Sequence, residues 1–124
     1  MMGMQDKVYI AGISCTKLGK RLDASVKQMV REAVDAALAD AGASVGDVDA
    51  AWFSNTRQPM LEGQNTVRGQ IALRPLGFES VPVVNIENAC ASGSSALIQA
   101  MAHLRAGMAD IALVVGAEKM VFPD

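Results

Sequence analysis

The chain has 124 residues, of which 51% are hydrophobic and 19% are charged, and its formal net charge is −2. This composition is typical of one packed globular domain and excludes a disordered chain. The nearly balanced charge gives no electrostatic basis for binding nucleic acid or an anionic membrane surface.

Strand-like and helix-like segments alternate along the first half of the chain. Lys7 to Ile13 is a short apolar run that predicts a first strand. Ser25 and Gln28 have the spacing of a capping box, and apolar residues then recur at helical intervals as far as Gly42. This pattern predicts a helix that begins after Ser25 and ends at Gly42. Ala50 to Ser54 predicts a second strand.

The second half continues the same alternation. Gln58 to Gln64 is rich in turn residues and predicts a loop, and Gln64 to Arg74 predicts a helix. Val81 to Ile86 predicts a third strand, and Ala91 to Ala106 predicts another helix. Asp110 to Gly116 is a continuous apolar run, which is typical of a strand buried on both faces.

The predicted order βαβαβαβ indicates an α/β fold with a mostly parallel sheet and helices on its faces. In such sheets, functional residues gather where the strands end and the following helices begin. Three segments are predicted to reach that edge: Gly12 to Cys15, Asn85 to Gly93, and Gly116 to Met120.

Cys90 is the candidate nucleophile in this arrangement. It lies between a predicted strand and a predicted helix, where free N–H groups and the positive end of the helix dipole favour a thiolate. Small residues on both sides leave room for an acyl group, and backbone N–H groups could hold an oxyanion. The local chemistry alone leaves an alternative open, because an unpaired cysteine in such a turn is often only a small buried apolar residue.

A resemblance to a known family bears on this choice. The stretch from Asn85 to Met120 contains an N-x-C-A-S-G core around Cys90 and a G-A-E-K-M sequence after the last predicted strand. Together these resemble the region around the active-site cysteine of thiolases, most closely the branch with sterol carrier protein-type thiolases and acetyl-CoA acetyltransferases. The resemblance covers nearly the whole chain, 1–124, as a single domain that matches the first portion of the thiolase N-terminal half-domain.

The resemblance implies a set of roles. Cys90 would be acylated by a CoA thioester, and its own backbone N–H would help to form the oxyanion hole. Asn88, Ser92, Gly93 and Glu118 are candidates for supporting roles, and a surface or helix-capping role is the alternative for Glu118. Coenzyme A thioesters such as an acyl-CoA or a 3-ketoacyl-CoA would be substrates. No covalently bound cofactor and no metal site is expected.

The rest of a thiolase site is not recognisable in the chain. The family's N-E-A-F asparagine, G-H-P histidine and second cysteine have no counterpart here, and the only histidine is His103. It follows Cys90 by thirteen residues on the same predicted helix, which places it about 20 Å away. A general base must come within about 3 Å or act through one water. We therefore expect a second thiolase-like chain to supply the histidine and the second cysteine; the alternative is that they lie elsewhere in a longer polypeptide of which this sequence is a fragment.

Two other functions remain open at this point. The chain could be a subunit of a thiolase-like retro-aldolase that acts on acyl-CoA side chains, or a non-catalytic structural or interaction subunit. Because Val81 to Ile86 resembles the family's dimer-forming strand, homo- or hetero-oligomerisation is expected in each case. Cys15 is expected to pack in the interior.

The location of the protein in the cell is also predicted. The first residues have no apolar signal segment, and the two cysteines lie far apart without metal-ligand spacing. No apolar run approaches the roughly 20 residues needed to cross a membrane. A reducing cytoplasmic environment fits these features.

Overall fold

The computed structural model describes residues 7–123. They form a three-stranded parallel sheet in the order β2-β1-β3, with β1 at Ala50–Ser54, β2 at Val83–Ile86 and β3 at Ala112–Gly116. The helices are α1 at Val26–Ala41, α2 at Gln58–Glu62, α3 at Arg68–Leu73 and α4 at Ser92–Arg105. The predicted α/β class and parallel sheet are therefore confirmed.

The central strand β1 divides the core into two parts. All five of its residues are buried, and side chains alternate between the two faces of the sheet. Ala51 and Phe53 pack in a cluster with Val30 and Val34 of α1 and with α3. Trp52 packs on the opposite face with Ala96 and Ala100 of α4. The sheet thus lies between α1 and α3 on one face and α4 on the other.

Helix α1 has the ends that its sequence predicts. The Ser25 side chain accepts a hydrogen bond from the N–H of Gln28, and the Gln28 side chain accepts one from the N–H of Ser25, which completes the capping box. Gly42 adopts the left-handed conformation with φ of 64° and ends the helix. A glycine takes this conformation without the steric cost that other residues incur.

The predicted first strand at Lys7 to Ile13 is wrong. The segment pairs with no strand among residues 7–123, and it lies along α1 instead. The N–H of Ile13 donates to Asp40 Oδ2 at 2.8 Å, and Ser14 Oγ donates to the Ala33 carbonyl at 2.6 Å. Gly12 fits closely on the helix, because a Cβ there would stand 2.6 Å from the Ala37 oxygen. An apolar run can favour an extended backbone, but it does not determine what that backbone bonds to.

The predicted helix Gln64 to Arg74 begins later than expected. Val67 has a φ of 46°, and this left-handed residue precedes α3, which starts at Arg68. The predicted loop from Gln58 to Gln64 contains α2 instead, and Pro59 lies in its first turn. The apolar spacing thus identified α3 but not its first residue, and α2 was not predicted.

The last strand was predicted to be buried on both faces, and this holds in part. In β3, an edge strand of the described sheet, Leu113 and Val115 are buried on one face. Ala112 and Val114 are only partly buried, against the cluster on the α4 side. The strand that is buried on both faces is β1.

At the start of β3 the Asp49 carboxylate accepts the N–H groups of Ile111 and Asp110, and these hydrogen bonds lower the pKa of Asp49. None of the helices within residues 7–123 combines the length and apolar composition needed to cross a bilayer.

Candidate active site at the carboxyl edge of the sheet

The loops that follow the three strands meet at one edge of the sheet. Thr56, after β1, donates from Oγ1 to the Ala89 carbonyl at 3.5 Å in the loop after β2. Asn55 donates from Nδ2 to the Ala117 carbonyl at 2.7 Å in the loop after β3. The carboxyl edge of a parallel sheet is where sites form in α/β proteins. Cys90 belongs to this loop cluster.

Cys90 is exposed and lies at the start of a long helical run. The 3-10 helix Ala89–Ala91 leads directly into α4. The first helical hydrogen bond runs from the Ala91 N–H to the Asn88 carbonyl at 2.9 Å. The N–H of Cys90 precedes that bond, in the part of a helix where N–H groups have no partner within the helix. An accessible sulfur and a free backbone donor therefore belong to the same residue.

The turn before Cys90 has an unusual backbone. Ala89 has a φ of 47°, a left-handed conformation that non-glycine residues rarely adopt. Ser92 bridges this turn, because its Oγ accepts the Asn88 N–H and donates to the Ala89 carbonyl, each at 2.7 Å. The Asn88 side chain donates to Ser95 Oγ at 2.9 Å and so connects the turn to the first turns of α4.

Gly93 lies on the exposed side of the first turn of α4. The nearest atom to a Cβ at this position would be Ser54 Oγ at 4.0 Å, which is ordinary contact. The fold therefore does not require a glycine at position 93. Its effect at the site is to leave open space in the turn that follows Cys90.

Glu118 holds the loop after β1. Its carboxylate accepts the N–H of Arg57 at 2.6 Å, the N–H of Thr56 at 2.8 Å and the side-chain amide of Asn55 at 3.1 Å. These contacts connect the end of β3 to the end of β1. These contacts make Glu118 an anchor for the loop at the start of α2.

We expect Glu118→Gln to lower the free energy of unfolding by about 1–2 kcal/mol, because a neutral amide accepts from backbone N–H groups less strongly and turns an NH2 toward one of them. Urea denaturation of the purified protein measures this loss. Glu87→Gln is the matched control, since Glu87 accepts, within residues 7–123, only the N–H of Ala89 at 3.4 Å. Equal stability of the two variants would contradict the anchoring role.

The loop after β1 is the part of the site that sequence reasoning missed. Asn55 is buried, and Arg68 of α3 donates from Nη1 to its carbonyl at 2.9 Å and to its Oδ1 at 3.0 Å. Asn55 and Thr56 are polar residues that directly follow a strand, and this position was the available signal. The segment Gly12 to Cys15 was expected at the edge in its place, but the hydrogen bonds of Ile13 and Ser14 are to α1.

The other two residues considered from the sequence are His103 and Cys15. His103 is half-buried near the end of α4, where its ring meets Trp52 edge-on with 5.0 Å between ring centroids. Cys15 is exposed, so the prediction that it packs in the interior is wrong. Among residues 7–123, no group of three or more histidine, cysteine or acidic side chains could hold a metal ion.

Comparison with known proteins gives a consistent result. A family model described as "Thiolase, N-terminal domain" matches residues 8–122. "Sterol carrier protein 2" of Gallus gallus is 33% identical over 119 residues, which cover 94% of this chain and 21% of that protein. "Acetyl-CoA acetyltransferase" of Methanocaldococcus jannaschii is 35% identical over 113 residues, which cover 91% of this chain and 29% of that protein.

Solved structures share the fold. The 3-oxoacyl-[acyl-carrier-protein] synthase III of Aquifex aeolicus superposes with a TM-score of 0.69 at 24% identity, over 78% of this chain and 30% of that one. The chain thus spans less than a third of the length of these relatives.

Proposed function

Because the chain belongs to the thiolase family, we propose that Cys90 is a nucleophile that accepts an acyl group from a coenzyme A thioester. The Cys90 thiolate attacks the thioester carbonyl and forms a tetrahedral intermediate. The C–S bond to coenzyme A then breaks, coenzyme A leaves as its thiolate, and the acyl group stays on Cys90 as a new thioester. The single observation that carries this proposal is the exposed sulfur of Cys90 at the start of the helical run into α4.

The oxyanion of the intermediate needs a donor that is in place before reaction. The N–H of Cys90 precedes the first helical hydrogen bond of the run, so it is available for this role. The positive end of the α4 dipole stabilises negative charge in the same region. Exposed Gly93 leaves space for the thioester to approach.

We place the proton-transfer groups on another polypeptide segment. His103 packs against Trp52 near the far end of α4, and at 1.5 Å per residue it lies about 20 Å from Cys90. The aligned region corresponds to 21% and 29% of two relatives' lengths. A further segment, in this polypeptide or in a second one, would therefore supply the histidine and the second cysteine.

The exposed edge of β2 is a suitable surface for self-association. This strand forms one edge of the sheet described by residues 7–123, and Val84 on it is 38% exposed. An exposed strand edge can pair with another strand. An oligomer formed through β2 is thus part of the proposal.

Substrate protection tests the proposal. The protein, together with the segment that completes its site, is treated with iodoacetamide with and without acetyl-CoA, and the two cysteines are followed by peptide mass spectrometry. We expect acetyl-CoA to slow alkylation of Cys90 by tenfold or more at saturation, since an occupied or acylated thiol does not react. Cys15, which is also exposed, serves as the internal control. Equal protection of both cysteines, or of neither, would contradict the assignment.

A further inference from the structure

We propose that Ser92 is the positioning residue of the site, which holds the turn Asn88 to Ser92 so that Cys90 presents its sulfur and its N–H together. The inference rests on the proposed role of Cys90 and goes beyond it, because it assigns the cause of the geometry to one hydroxyl. Ser92 is only 6% exposed. Its Oγ accepts from the Asn88 N–H and donates to the Ala89 carbonyl, each at 2.7 Å.

These two hydrogen bonds enclose the residue with the unfavourable backbone. The left-handed conformation is sterically unfavourable for a residue with a Cβ, and Ala89 adopts it at φ 47°. Such a conformation persists only where surrounding contacts impose it. Ser92 contacts the N–H that precedes Ala89 and the carbonyl of Ala89 itself, so it restrains the backbone on both sides of that φ angle. The direction in which the chain enters Cys90 depends on this restraint.

A second hydroxyl connects this turn to the sheet. Thr56 Oγ1 lies 3.4 Å from Ser92 Oγ and 3.5 Å from the Ala89 carbonyl oxygen. The N–H of Thr56 is itself held by Glu118 at 2.8 Å. A continuous series of contacts thus runs from the loop after β3, through the loop after β1, to the turn that carries Cys90. Ser92 is the member of this series that contacts the turn on both sides of Ala89.

The test compares acylation rates per folded molecule. The protein with its completing segment is mixed with acetyl-CoA under single-turnover conditions, and the rate of acyl-protein formation is measured across acetyl-CoA concentrations. We expect Ser92→Ala to lower the maximal acylation rate by about 10²-fold, because a displacement of about 1 Å in the reacting group has an effect of that size. The acetyl-CoA concentration at half-maximal rate should stay the same. Ser92→Thr, which keeps the hydroxyl, should restore most of the rate.

Two further variants complete the test. Ser94→Ala is the matched control, since Ser94 is exposed in the same helical turn, and its rate should equal that of the original protein. Thr56→Val removes the second hydroxyl at nearly constant volume and should give a smaller loss of the same kind, which keeps the proposal testable if Ser92→Ala does not fold. An unchanged rate in a folded Ser92→Ala variant would overturn the role of Ser92 alone. An original protein that forms no acyl adduct would overturn the proposed function and this inference with it.

Discussion

Replacement of Cys90 by serine is expected to lower acyl-transfer turnover by at least about 10³-fold in the completed protein, that is, the chain together with the segment that completes its site. The reason is that loss of a covalent nucleophile removes the intermediate through which the reaction passes. The hydroxyl of serine is a far weaker nucleophile than a thiolate near neutral pH. Turnover is measured as coenzyme A release from the acyl-CoA, with the amount of folded protein determined for each variant.

Cys15→Ser is the matched control for this experiment, because Cys15 is the other exposed thiol and its neighbours Ile13 and Ser14 bond to α1. Its turnover should match that of the original protein. Retention of turnover in Cys90→Ser would contradict acyl transfer through Cys90. That result would favour the thiolase-like retro-aldolase alternative, in which the cysteine need not be the nucleophile.

Replacement of Gly69 by alanine is expected to lower the free energy of unfolding. Gly69 is buried in α3, and a Cβ there would lie 2.6 Å from Phe53 Cβ, 2.7 Å from Val83 Cγ1 and 3.0 Å from Asn85 Oδ1. Each distance is shorter than ordinary van der Waals contact, so α3 would have to move away from β1 and β2. Overpacking of this kind costs about 1–3 kcal/mol. The higher helix propensity of alanine offsets at most about 1 kcal/mol.

Urea denaturation gives the change in unfolding free energy for Gly69→Ala. Gly46→Ala is the matched control, because Gly46 is exposed and a Cβ there would approach only Ser44 Oγ, at 3.8 Å. We expect the control to unfold at nearly the original urea concentration. A Gly69→Ala variant as stable as the control would mean that α3 does not pack closely against the sheet.

Local patterns predicted those parts of the fold that depend on local interactions. The capping box at Ser25 and the left-handed Gly42 bound α1 where the sequence indicates. The helix predicted from Ala91 to Ala106 is observed at Ser92–Arg105. Ala50–Ser54 is observed with its predicted bounds. In each case the residues that determine the element lie within it or next to it.

Non-local interactions explain the errors. The segment at Lys7 to Ile13 has strand composition, but whether it joins a sheet depends on contacts with distant residues, and here Asp40 of α1 takes the N–H of Ile13. The burial of β3 is incomplete on one face, and its place at the edge of the described sheet is not encoded in its own apolar run. Turn residues predicted a loop where α2 forms, and the left-handed Val67 delays the start of α3 to Arg68, which apolar spacing does not indicate.

The same distinction between local and non-local interactions applies to the candidate site. Cys90 and the small residues around it could be identified as candidates because they form one contiguous motif. Asn55 and Thr56 belong to the loop after β1, and Arg68 belongs to α3. Only the folded chain brings Thr56 to the Ala89 carbonyl and Arg68 to Asn55. The sequence predicts Glu118 as a candidate, but its function as an anchor depends on the N–H groups of Thr56 and Arg57, which precede it by 62 and 61 residues.

The most direct test of the central claim is the location of the acyl group after brief incubation of the completed protein with acetyl-CoA. The reaction is quenched in acid, and the peptides are analysed by mass spectrometry before and after treatment with neutral hydroxylamine, which cleaves thioesters. The proposed function predicts an acetyl group on the peptide that contains Cys90, lost on hydroxylamine treatment, with Cys15 unmodified. An acetyl group on another residue, or an unmodified Cys90 in protein that turns over acetyl-CoA, would contradict it.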